Sequence, residues 1–439
     1  MKIKFTFFSC WALLGFCGVS AQEVPEVQMM SLEQVYRLAD ENSQQLRIDR
    51  LNIESANAEI KSARSQRLPD ISTSLSVGYL ADGLLSDRDF TNWTHIDNPH
   101  FMNNFALKAQ QVVYSGGAIS SSIELASLGK NMSELNMVKN RQEIRFLLTG
   151  YYLDLCRLHN QQQVLQENLK LTEQVIENMQ SRVNEGTALQ NDITRYELQR
   201  KGLELQLQKV SDARTIICHQ LTTTLHLPEN TIIEPDMSLI SAIQQTQSEK
   251  DWQHEASISN ASLQQAALGT HISQQQLRLK RSAMLPKVAI VAENHFDGPI
   301  TIEIPVLNNN FNYWFVGIGI QYQLSSLFKS NKSVKKAKFD LRSAQEQQVL
   351  AAEHINNAVQ AAYTNYLTSN VELQTEEKSV QLAQENYDVT ANRYSNGLCL
   401  LTDMLDASNQ KLSADLALVN ARINKLYNYF KLKYISNTL

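Results

Sequence analysis

Two short spacings in this chain place groups that can act together. Arg182-x3-Gly186-x5-Asp192 recurs as Arg393-x3-Gly397-x5-Asp403, each at the point where one long helical pattern stops and another begins. A cation, a turn glycine and a carboxylate then share one apex, and the acid is placed to cap the helix that follows. That is electrostatic chemistry, with no bond made or broken. Other candidates are weaker. Cys156 and His159 lie one turn apart, a spacing that can share a metal, but a small apolar residue beside a polar helix face is the favoured account of them. His95 and His100 fall in a loop without a helical i, i+4 register, and no metal site or other cofactor is expected. The chain has no glycine-rich phosphate loop, no Gly-x-Ser-x-Gly, no His-Glu-x2-His and no carboxylate pair set for acid–base work, so no enzymatic activity is expected.

The elements that carry the two apices are themselves repeated. Arg64-Ser65-x2-Leu68-Pro69 and Arg281-Ser282-x2-Leu285-Pro286 precede them in the same order. From proline to arginine the distance is 182 − 69 = 113 residues in the first copy and 393 − 286 = 107 in the second, a drift of the size surface loops absorb. The chain therefore reads as a tandem duplication. Residues 22–230 form the first repeat, 231–250 a linker and 251–439 the second repeat.

Glycine and proline are sparse, at 15 and 8 of 439 residues, which predicts long uninterrupted helices. Ala118–Asn184 and Ser333–Ser395 contain no proline, and at ~1.5 Å per residue each extends roughly 100 Å. The first carries a seven-residue repeat: Ile144, Tyr151, Leu158, Leu165, Thr172 and Met179 in one position, Leu148, Leu155, Gln162, Leu169, Ile176 and Val183 in the other. Such a seam belongs to a coiled coil. Beyond Gly186 a matching pattern from Leu189 to Leu221 runs back, so each half is an antiparallel helical hairpin. A shorter helix opens each copy, from about Ser31 to Gln66 and from about Gln253 to Arg281, and ends at the Leu-Pro step, because the residue before proline leaves the α region.

After each Leu-Pro step the period changes to two. Ile71, Thr73, Leu75, Val77 and Tyr79 alternate with serines and Gly78, a loop spans about Ala81–Asn103, and Phe105, Leu107 and Ala109 alternate with Lys108 and Gln110. In the second copy Val288, Ile290 and Ala292 lead through another polar loop to Trp314, Val316, Ile318, Ile320 and Tyr322. About ten residues of alternation with aromatics near the ends fit lipid-facing barrel strands. The N-terminus agrees: Lys2 and Lys4, an apolar run from Phe5 to Val19 and the small-x-small Val19-Ser20-Ala21 predict a signal peptide over 1–21. Lipidation at Cys17 is disfavoured by bulky Phe16 before it. Cys156, Cys218 and Cys399 are then an odd, scattered set and no disulfide framework, and the formal net charge of −5 gives no field for nucleic acid. Four strands cannot close a transmembrane barrel, for which about eight is the practical minimum, so an oligomer is expected.

Taken together, the Leu-Pro steps, the β-hairpins, Ser115-Gly116-Gly117 and Leu327-Phe328-Lys329 opening the long helices, and the two Arg-x3-Gly-x5-Asp turns resemble the TolC-like outer-membrane efflux family over nearly the whole mature chain. The resemblance implies a mixed α and β membrane protein, a homotrimer whose twelve-stranded β-barrel in outer-membrane lipid continues into a periplasmic barrel of twelve helices. It implies a passive exit duct of a tripartite efflux or type I secretion system, fed by an inner-membrane transporter through a periplasmic adaptor. At the periplasmic entrance it assigns Asp403 and Asp406 to an acidic lining, Asp192 and Tyr394 to links between helices in the closed state, and the turns with Arg182, Gly186, Arg393 and Gly397 to adaptor docking. An arginine of the family's latch falls at Cys399 here. The competing reading is a periplasmic coiled-coil adaptor or tether, which has no use for lipid-facing strands.

Overall fold

A computed structural model describes residues 26–228, 230–241 and 247–439. The expected signal peptide and Cys17 lie outside the described residues, as does part of the expected linker. The element order is β1 (Glu26–Met30), α1 (Leu32–Asn42), α2 (Gln44–Ser65), β2 (Asp70–Tyr79), β3 (Gly83–Leu85), β4 (Thr94–Ile96), β5 (Phe101–Tyr114), α3 (Ala118–Asn184) and α4 (Gln190–Leu225). There follow β6 (Thr231–Pro235), α5 (Ser238–Ser241), α6 (Glu249–Ser259), α7 (Ala261–Ser282), β7 (Lys287–Gly298), β8 (Phe311–Gln321), α8 (Ser326–Ser395) and α9 (Leu401–Ile435). Two short helices, a strand pair and a long helical pair thus occur twice in the same order. Within the expected linker, β6 pairs in parallel with β1, so this segment is partly built into the fold.

Each opening helix is broken where a single one was expected. Ser31 and Gln34 start α1 with a reciprocal capping box, as Ser248 and Asp251 start α6. Ser43, at ψ 126, ends α1 and precedes α2, and Asn260, at ψ 119, stands in the same way between α6 and α7. The Asn260 side chain accepts from the amides of Ser262 and Leu263 and donates to the Ile435 carbonyl at 2.8 Å, tying the break to the end of α9. Asparagine satisfies three backbone groups there, which helix propensity alone does not reveal.

The four long strands form one antiparallel sheet in the order β2-β5-β7-β8. Its register pairs Thr73 with Leu107 and Leu107 with Asn294, while Ser72, Lys108 and Glu293 align on the other face. The first face is greasy and open: Ile71, Leu75, Val77, Tyr79, Trp314, Val316, Ile318 and Ile320 are 63–74% exposed. Among the described residues β2 and β8 each lack a second neighbour, so the sheet ends in two open edges. The 81–103 loop holds a small ribbon, β3 paired with β4, that its polar composition did not predict. No described helix is long and apolar enough to cross a membrane.

The core sits midway along the helices, away from the sheet. Val35 and Ala39 of α1, Leu148, Tyr152, Leu155 and Cys156 of α3, Leu221 and Leu225 of α4 and Ile233 of β6 bury one another. The heptad seam is correct at Leu148, Leu155, Leu158, Leu165, Thr172 and Met179, but Tyr152, Leu153 and Cys156 are buried outside it. There α3 carries α1 and β6 as well as α4, and a helix wrapped on several sides buries a wider face than a two-helix seam. Tyr152 donates to the Met30 carbonyl at 2.9 Å and lies 3.1 Å from that of Asp236, pinning both short strands.

Candidate functional site at the helical tips

Both hairpins turn through the same local device. Gly186, at φ +74°, lets its N–H reach the Val183 carbonyl while Thr187 N–H bonds Arg182 O. Gly397, at φ +71°, repeats this with Tyr394 O and with Leu398 N–H on Arg393 O. Left-handed backbone here is what closes the last turn of each long helix, and glycine adopts it without a Cβ penalty. The next helices begin alike. Asp192 Oδ2 accepts from Leu189 N–H at 3.3 Å, and Asp403 Oδ2 from Leu400 N–H at 3.1 Å. Leucine offers no acceptor in return, so each is the acidic half of a capping box. Asp406, exposed one turn on, accepts from Gln410 at 2.7 Å.

Beneath the turns the two hairpins pack on each other. Met179 of α3, Ile193 and Tyr196 of α4 and Leu401 and Met404 of α9 form a buried cluster, with Tyr387 and Tyr394 of α8 against it. The Tyr196 hydroxyl is buried there with no hydrogen-bond partner among the described residues. Arg182 crosses from the first hairpin to the second: its guanidinium carbon lies 5.4 Å from the Tyr394 ring centroid, and Nη1 reaches the Tyr394 carbonyl at 3.5 Å. Burial raises the Tyr394 hydroxyl pKa, Arg182 opposes this, and the nearby Asp192 carboxylate raises it again.

The structure therefore brings Arg182, Asp192 and Tyr394 together, but no hydrogen bond joins Asp192 to Tyr394. The group that engages Tyr394 is Arg182, whose partner lies 212 residues away and leaves no trace in local sequence. Arg393 does not repeat this contact; its Nη2 turns back to the Leu398 carbonyl at 3.4 Å. The Cys399 thiol faces the Thr390 carbonyl at 3.6 Å. Around the turns Leu189, Leu398 and Leu400 are 67–71% exposed. Nor do Cys156 and His159 form a pair: Cys156 is buried, its thiol pushed up to about 12 chiefly by desolvation, whereas His159 faces Glu234 at 3.8 Å.

Comparison with known proteins bears on the whole assembly of elements. Over 190 residues the chain is 26% identical to the outer membrane protein TolC of Salmonella enteritidis, a match that covers 42% of this chain and 39% of TolC. The matched part thus spans about two fifths of that relative's length. The fold superimposes on the outer membrane protein VceC of Vibrio cholerae with a TM-score of 0.75, covering 92% of this chain and 96% of VceC at 16% identity. It also superimposes on the open state of the Neisseria gonorrhoeae MtrE outer membrane channel, with a TM-score of 0.73, covering 92% and 88% at 15% identity. At these identities the likeness is one of fold. The model for outer membrane efflux proteins matches residues 35–225 and 252–437, most of the chain, which therefore belongs to the outer membrane efflux protein family and is an outer-membrane protein.

Proposed function

We propose that the chain is one third of a homotrimeric channel-tunnel, a passive exit duct of a tripartite efflux or type I secretion system. The observation that carries this is the four-stranded sheet with an apolar outer face and two open edges. Unpaired edge groups in lipid cost several kcal/mol each, so the edges must meet edges of other copies. Three copies give twelve strands, wide enough for a solute pathway. The helices support the same reading. On α8, exposed Val371, Leu382 and Val389 recur at intervals of eleven and seven residues, and on α4 exposed Leu198 and Leu205 are seven apart. Such stripes suit a neighbouring helix.

In this assembly the helical tips, farthest from the sheet, form the periplasmic entrance. Leu189, Leu398 and Leu400, beside Gly186 and Gly397, offer the adaptor an apolar docking surface, and the inner-membrane transporter delivers cargo from below. Exposed Asp403 and Asp406 of three chains place six carboxylates around one axis, where the field favours cations. Closure is held by contacts of the Arg182–Tyr394–Asp192 kind. Planar-bilayer recording of the detergent-extracted protein, with its mass in solution, tests the proposal. A conducting trimer is expected, its block by divalent cations weakened by Asp403→Ala with Asp406→Ala and its basal conductance raised by Asp192→Ala. A stable monomer that conducts, or no conductance from a correctly inserted trimer, would refute it.

A further inference from the structure

At the opposite end of the molecule, where β2 gives way to β5 and no helix approaches, three side chains converge. Asp82 stands just before β3, His95 lies in β4, and Asp97 follows it. His95 Nε2 is 3.3 Å from Asp97 Oδ1 and 3.7 Å from Asp82 Oδ2. One ligand atom from each residue lies within 4.8 Å of the other two. Donors bound at ~2.0–2.1 Å to a tetrahedral ion stand roughly 3.3–3.5 Å apart, so two edges of the triangle already have nearly that length. Only Asp97, whose side chain is 93% exposed, must swing in to shorten the third.

The set is directed as well as close. Asn98 N–H donates to Asp82 Oδ1 at 3.0 Å, which leaves Oδ2 facing His95. Hydrogen bonding of the non-ligating oxygen is how outer groups orient a ligating carboxylate. The ladder that pairs Leu84 with His95 fixes the imidazole's strand beside Asp82. His100 belongs to the frame: its Nδ1 lies 3.1 Å from the Leu80 carbonyl, and its ring stacks on Tyr79. That leaves a fourth position to water.

We propose that Asp82, His95 and Asp97 form a divalent transition-metal site of the zinc type, one per chain, on the loop at the far end of the sheet. An imidazole with two carboxylates selects such ions over Mg²⁺ and Ca²⁺, which take oxygen ligands. The bound ion cross-links the ribbon of β3 and β4 to the segment that leads into β5. This assignment does not depend on the channel reading. Nothing in the sequence spacing announces it, because the ribbon rather than a helix register brings position 82 to positions 95 and 97.

The test is calorimetric titration of Zn²⁺ into the full chain, extracted in non-ionic detergent and stripped with chelator. His95→Gln and Asp82→Asn, both at exposed positions, should weaken one site per chain at least about tenfold, the scale on which even outer-shell changes act. His295→Gln is the control. His295 lies 2.9 Å from Glu293 and 3.9 Å from Asp297, the other described histidine set between two carboxylates, and its loss should leave the titration unchanged. Substitution by Co²⁺ should give visible d–d absorption that His95→Gln abolishes. Superimposable Zn²⁺ titrations of the parent and His95→Gln would overturn the site and leave an ordinary ion pair in its place. So would Zn²⁺ binding lost with His295→Gln.

Discussion

Replacing Gly116 by alanine should destabilise the protein far more than the same change one residue on. Both glycines hold left-handed backbone, at φ +64° and +85°, as the chain passes from β5 into α3. An alanine held there costs roughly 1–2 kcal/mol at either position. Their surroundings differ. A Cβ on Gly116 would lie 2.8 Å from Leu285 Cβ and 2.9 Å from the Ser282 carbonyl oxygen, whereas one on Gly117 would meet nothing within 4 Å. Ser282 and Leu285 belong to the second Leu-Pro step, a turn fixed by Leu285 N–H on Ser282 O at 3.1 Å, so the backbone cannot easily yield. Overpacking of this kind adds roughly 1–3 kcal/mol. Gly116→Ala should therefore cost about 2–5 kcal/mol against about 1–2 for Gly117→Ala. Thermal unfolding in detergent, followed by far-ultraviolet circular dichroism at one scan rate, should show the midpoint falling about twice as far for Gly116→Ala. Equal shifts, or a larger one for Gly117→Ala, would mean that the approach of the two repeats at Leu285 is not what this glycine serves.

Tyr152→Phe should cost about 1 kcal/mol, since Met30 O keeps the Asp236 N–H at 3.1 Å, and limited proteolysis should find β1 released earlier. Among the described cysteines only Cys399, the one not buried, should react with a bulky maleimide in the native protein; Cys156 and Cys218 should label only on denaturation. The Asp251 carboxyl pKa is lowered by the Ser248 hydroxyl and backbone, so its stabilising contribution is complete above the ordinary carboxylate value of about 4 and is lost as pH falls through the lowered one. Asp251→Asn should accordingly flatten the acid limb of the melting curve. Arg182→Ala should speed amide exchange around Tyr394 by loosening a contact between hairpins, while Arg393→Ala should disturb only its own turn, as hydrogen-exchange mass spectrometry can resolve.

Local chemistry explains what the sequence revealed. The limits of α3 at Ala118 and Asn184 were readable because Ser115-Gly116-Gly117 and Gly186 are strong punctuation and no proline lies between. The four strands were readable because their outer face is mostly apolar, Thr73 and Asn294 excepted, and alternates with a face richer in polar and small residues. The breaks at Ser43 and Asn260 were not. Asn260 is one polar residue in a helical pattern, and what makes it a break is the Ile435 carbonyl, 175 residues later. Tyr152, Leu153 and Cys156 look like a second stripe beside the heptad until α1 and β6 are folded against them. At the site, the acids and glycines were visible from spacing, but their first partners are their own caps, and the arginine that reaches Tyr394 was read only as part of a turn.

The two tips then show how a repeated sequence becomes an unequal structure. Local bonds are conserved between them almost atom for atom, since each glycine and each aspartate answers to neighbours within a few residues. Contacts over long range are not. Arg182 leans across to Tyr394, whereas Arg393 folds onto Leu398 O, and Asp192 is half-buried near Tyr394 while Asp403 is exposed. A cation–π contact of this exposure contributes on the order of 1 kcal/mol, too little to lock two helical pairs rigidly. In the trimer proposed above, three such contacts would add to a few kcal/mol, the range in which both a closed and an open arrangement would stay within reach of a binding partner. On the function proposed above, docking at Leu189, Leu398 and Leu400 would tip the entrance, because those side chains sit on the same turns as the Arg182–Tyr394 contact.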